Sequence, residues 1–63
     1  MQIQGFEDYS AQALAEHINQ WIAGRLRDGY RVQMRNIKYQ TMVNSEGLNI
    51  YSALVVFDME KVA

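Results

Sequence analysis

Three features of this 63-residue sequence predict an α+β fold of order β-α-β-β, with one helix packed on a three-stranded antiparallel sheet and the last strand central. The first is a continuous apolar run, Ile50 to Phe57 (IYSALVVF), short and rich in β-branched and aromatic residues. The second is a helical period through Ala11, Leu14, Ala15, Ile18, Trp21, Ile22 and Leu26. The third is an alternating stretch, Tyr30 to Val43, joined to the apolar run by the turn residues Asn44, Ser45, Glu46 and Gly47.

Met1 to Phe6 alternates weakly and reads as an edge strand. Ser10 follows as the helix N-cap, with Asp8 as the alternative, and Glu7 and Asp8 put negative charge where a helix N-terminus favours it. The helix has no Pro, and Gly24 costs it roughly 1 kcal/mol relative to Ala. It should end near Arg27 or Asp28, with Gly29 as the left-handed cap and Arg25 and Arg27 facing the last carbonyls.

The next strand changes phase in its middle. Tyr30, Val32 and Met34 are apolar on even positions, while Ile37, Tyr39, Thr41 and Val43 continue on odd ones. One extra residue near Arg35 and Asn36 repairs this, so a β-bulge is expected there. A four-residue turn, 44–47, then sets Val43 opposite Leu48, Thr41 opposite Ile50, Tyr39 opposite Ser52 and Ile37 opposite Leu54. That face is the expected bed for the helix. Glu60 to Ala63 is expected to fray.

The last strand wants cover on both sides. Leu48, Ile50, Leu54 and Val56 fall on one face, and Tyr51, Ala53, Val55, Phe57 and Met59 on the other, yet the chain offers one helix. Burying Tyr51, Val55, Phe57 and Met59 is worth on the order of 6–12 kcal/mol, comparable with the whole stability of a small domain. A second copy is therefore the expected cover, with Met42, Tyr51, Ala53, Val55 and Phe57 at the interface.

Composition agrees with a single domain, residues 1–63, near the lower size limit for folding without a staple. There is no Cys for a disulfide or thiolate site, which leaves self-association as the route to added stability. No secretion signal or membrane span is read, so a cytoplasmic location is expected without membrane contact. A net charge of −1 gives no global attraction to nucleic acid.

The pairing of IKYQ (Ile37 to Gln40) with YSALVVF (Tyr51 to Phe57), behind a helix reading INQWI (Ile18 to Ile22), resembles the small sporulation-associated Cse-type proteins of bacilli and their phage-borne relatives. The resemblance implies a small non-enzymatic bacterial or phage protein. In element order and size alone the chain is also similar to dodecin, a hollow flavin-storing oligomer. Dodecins stack flavin on a Trp at the start of their second strand; here that place holds Tyr30, and the only Trp is Trp21 in the helix. The likeness therefore implies an oligomeric habit rather than flavin storage.

No catalytic constellation stands out. His17 is the only histidine and is expected to pack half-buried on Trp21, one turn away. Ser10, Ser45 and Ser52 have structural duties as cap, turn and strand residues, and none lies in a nucleophile-elbow pattern. The 24–29 segment GRLRDG lacks the Lys-Ser/Thr end of a phosphate loop. Neither a cofactor nor a metal site is expected.

Five of the six cations, Arg25, Arg27, Arg31, Arg35 and Lys38, lie between residues 25 and 38. Arg25 and Arg27 can serve the helix end, and strand cations can guard an edge. The same residues support a sharper expectation, in which Arg31, Lys38 and Gln40 beside Tyr51 and Phe57 form a platform for a small anionic, nucleotide-like ligand, combining charge with stacking. The function expected is thus a non-enzymatic, homo-oligomeric binding or scaffold protein. Its alternatives are a nucleic-acid-binding module using the basic stretch 25–38 and an adaptor that adds a partner's strand to the Met1 to Phe6 edge.

Overall fold

The computed structural model describes residues 1–62 and has four elements: β1 (Gln2–Asp8), α1 (Ala11–Arg27), β2 (Tyr30–Val43) and β3 (Asn49–Lys61). The sheet order is β1-β3-β2, and β3 is antiparallel to both neighbours. This is the β-α-β-β arrangement with a central last strand that the apolar run required.

Local signals explain the helix ends. Ser10 is extended and its side chain accepts a hydrogen bond from the Ala13 N–H at 3.0 Å, satisfying one of the orphan donors of the first turn. At the other end the Asp28 N–H donates to the Gly24 carbonyl, and Gly29 turns the chain with φ +91°. The expected bulge is present, with Met34 opposite Phe57 and Asn36 opposite Val56, leaving Arg35 as the extra residue.

The register of the β2–β3 hairpin differs from expectation by one residue. Asn44 donates its N–H to the Leu48 carbonyl at 2.9 Å, and Gly47 donates to the Asn44 carbonyl at 3.0 Å. The Asn44 side chain also accepts from the Glu46 and Leu48 N–H groups. Asn44 and Leu48 thus close the hairpin as a pair, and the loop is the three residues 45–47, with Gly47 at φ +81°. Val43 faces Asn49, Thr41 faces Tyr51, Tyr39 faces Ala53 and Ile37 faces Val55.

Because strand side chains alternate, this slip exchanges the faces. The helix lies on Tyr51, Ala53, Val55, Phe57 and Met59, and the face of Ile50, Leu54 and Val56 is left open. The core is Phe6, Leu14, Ile18, Ala53, Val55 and Phe57, with Trp21, Ile22, Val32, Ile37, Tyr51 and Met59 packed around it. Trp21 joins the layers, its ring edge-on to Phe6 at 5.2 Å and to Phe57 at 4.8 Å. Leu26, on the predicted apolar stripe, is mostly exposed.

Two further expectations are corrected at the chain ends. The first strand runs two residues past Phe6, because Glu7 and Asp8 pair with Ser52 and Tyr51. Glu60 and Lys61 do not fray; they pair with Arg31 and Tyr30, and the Val62 N–H donates to the Gly29 carbonyl at 2.8 Å. Ala63 lies outside the described residues.

Candidate functional site

The open face of the sheet is built from three rows. β1 supplies Ile3, Gly5 and Glu7; β3 supplies Ile50, Ser52, Leu54, Val56, Asp58 and Glu60; β2 supplies Arg31, Gln33, Asn36, Lys38, Gln40 and Met42. No element of the described chain covers it. Ile3 is 67% exposed and Leu54 52%, whereas Val55, one position along on the other face, is fully buried.

Chemistry divides this face along the strands. At the end nearer Lys61 it is a polar network. Arg35 Nε donates to Asp58 Oδ2 at 2.8 Å, Gln33 Nε2 donates to Glu60 Oε2 at 2.8 Å, and the Met1 amine lies 3.2 Å from Asp58 Oδ1. The Arg35 guanidinium, with the Met1 amine second, holds the Asp58 carboxyl below its ordinary value. Toward the hairpin the face becomes apolar, through Val56, Leu54, Ile50 and Met42. Lys38 stands within the apolar zone, opposite Leu54, and forms no ion pair among the described residues.

Beside Leu54 the surface dips. Gly5, directly opposite Leu54, has no side chain, and Ser52 is small, so an open hollow of about 370 Å³ forms between Glu7 and Gln40. The Ser52 hydroxyl is turned aside to donate to the Gln40 carbonyl at 3.3 Å.

The five residues expected to bind a ligand do not form one site. Arg31, Lys38 and Gln40 are on the open face, but Tyr51 and Phe57 are beneath the helix, so cations and aromatics are separated by the thickness of the sheet. The expected interface set is likewise divided. Tyr51, Ala53, Val55 and Phe57 are covered by α1, and Met42 alone is on the open face. Both corrections follow from the three-residue hairpin loop. Ile3, Gly5 and Glu7 were missing from the expected face; counting the loop from Asn44 paired with Leu48 is the signal that recovers the right β3 partners.

Histidine chemistry finds no support in the geometry. His17 packs edge-on against Phe6 at 5.2 Å rather than on Trp21, with Nδ1 4.0 Å from Asp8 Oδ2, and is half exposed. Among the described residues no three His, Cys, Asp or Glu side chains gather in a way that could hold a metal ion. Among the described residues no helix is long and apolar enough to cross a membrane.

Comparison with family models, curated proteins and solved structures finds no match for this chain. The open face is therefore read from its own chemistry.

Proposed function

We propose that this chain is a non-enzymatic, homo-oligomeric scaffold or binding protein whose open sheet face forms the subunit interface. The observation that carries the reading is the apolar zone of that face, Ile3, Ile50, Leu54 and Val56 with Met42 beside it, in a chain whose core has six buried side chains among the described residues. The surface area supports it as well. At 4704 Å² the chain exposes about 500 Å² more than a compact monomer of its mass, a sizeable part of the ~800 Å² per partner that a standard interface buries.

An anionic, nucleotide-like ligand held by such an assembly would meet Lys38, with Gln40 and Arg31 on the same face, through charge and hydrogen bonds and without aromatic stacking. Nucleic-acid binding draws less support, because Arg35 is tied to Asp58 and Arg31 stands opposite Glu60.

Native mass measured on protein purified gently from its host tests the proposal. A multimer is expected, and extra mass released on denaturation would identify the ligand. A monomer at micromolar concentration would refute self-association, and Leu54 would then have to meet a different partner.

A further inference from the structure

We infer that two copies pair through their open faces with strands antiparallel across the interface, each Leu54 seated in the hollow over the partner's Ser52. This rests on the self-association proposed above and adds its geometry.

Face-to-face sheets pack roughly 10 Å apart with side chains interdigitating, so a projecting group needs a recess opposite it. On the open face β3 carries both, side by side. Leu54 projects, and the hollow lined by Gly5, Glu7, Gln40 and Ser52 recedes. In a two-fold contact each copy offers the other the same patch, so a projection and a recess displaced from the axis fill one another.

The order of residues on β3 selects where that axis lies. A two-fold axis over Ala53, in the plane between the sheets and perpendicular to β3, brings Leu54 onto the partner's Ser52 and Val56 onto the partner's Ile50. The apolar row Ile50, Ser52, Leu54, Val56 is then matched along its length, large against small at the centre and aliphatic against aliphatic outside. Lys38 falls over the partner's Gln40, which keeps the two lysines apart. The polar network of Arg35, Asp58, Gln33 and Glu60 lies beyond Val56, at the rim, where its charges stay in water. An axis along β3 would instead place Leu54 on the partner's Leu54 and Ser52 on the partner's Ser52, so that projections collide and recesses stay empty.

The absence of cysteine makes this arrangement directly testable. Leu54→Cys and Ser52→Cys are prepared as separate single variants of the full chain, mixed in equal amounts and treated with a short bismaleimide, because thiols on sheets about 10 Å apart lie beyond the reach of a direct disulfide. Covalent dimer is expected in the mixture well above either variant alone, because the axis places position 54 over the partner's 52. If the parent is an oligomer but the mixture cross-links no better than the single variants, the arrangement is overturned while self-association stands. A monomeric parent overturns both.

Filling the hollow gives an independent reading. A Cβ at Gly5 meets Leu54 Cδ2 at 3.6 Å, an ordinary contact, so Gly5→Ala leaves the monomer fold in place. Association should weaken about tenfold or more, because the recess no longer admits Leu54. Wild-type association by a variant with an unchanged circular dichroism spectrum would overturn the pairing.

Discussion

The two faces of β3 carry similar apolar side chains and have opposite fates. Tyr51, Ala53, Val55, Phe57 and Met59 lie under the helix, while Ile50, Leu54 and Val56 have no element of the described chain packed over them, Leu54 being exposed and Ile50 and Val56 half-buried. Hydrophobicity along the strand does not separate them; their neighbours do. The covered face has Phe6 on one side and Val32, Ile37 and Tyr39 on the other, a bed broad enough to meet Leu14, Ile18 and Trp21. The open face has Ile3 with Gly5 and Glu7 on one side and Met42 with Asn36, Lys38 and Gln40 on the other, so polar and small residues interrupt its apolar surface on both flanking strands. A helix settles where three strands offer apolar surface together.

The sharpest way to break this comparison is a charge placed on each face in turn. Val55→Asp puts an unpaired carboxylate into the best-buried site, at a cost on the order of 3–5 kcal/mol, enough to unfold most of so small a domain. Leu54→Asp, one residue away, should keep the wild-type circular dichroism spectrum and lower the native mass to that of a monomer. A folded Val55→Asp, or an unfolded Leu54→Asp, would reverse the assignment of faces.

A smaller effect tests the covered face through its helix. Ser10→Ala removes the hydrogen bond to the Ala13 N–H and should lower stability by about 1 kcal/mol in urea titration, with association otherwise unaltered. The smallest effect belongs to the polar end of the open face. Asp58 is partly exposed, and its carboxyl is lowered mainly by the hydrogen bond from Arg35. A lowered carboxylate stabilises the fold above its ordinary value and loses that contribution as the pH falls through the lower folded value. Asp58→Asn should therefore show a slight deficit in melting temperature at neutral pH that shrinks below about pH 4. A deficit that persists unchanged in acid would mean that the pair with Arg35 is not its source.

Much of the fold is legible in the sequence because its signals are local. Ser10, Gly29, the helical period and the phase change near Arg35 each act within a few residues, and each element they define is present. The choice of face was not legible in the same way. It hangs on whether Asn44 belongs to the loop or closes the hairpin, a difference of one residue that Asn44 decides through its backbone and side-chain bonds to Leu48. That single residue moves Ala53, Val55 and Phe57 from an expected interface into the core. The cations Arg31 and Lys38 and the amide Gln40 were correctly grouped together, since they alternate on one strand beyond the bulge's reach or in step with it. Their aromatic companions, carried by the other strand, inherited the register error.

The position of β3 between its neighbours also orders the events of folding. β2 and β3 are joined by a three-residue loop, so their pairing spreads from the turn at little entropic expense. β1 must instead find residues 43 to 55 positions away, from Asp8 with Tyr51 to Gln2 with Phe57, a closure worth about 3 kcal/mol of chain entropy. Phe6 lies on that strand, so the core is complete only when the first residues of the chain meet nearly the last. A hairpin formed early, waiting with both faces of its third strand bare, is the state from which a wrong partner has the best chance of binding.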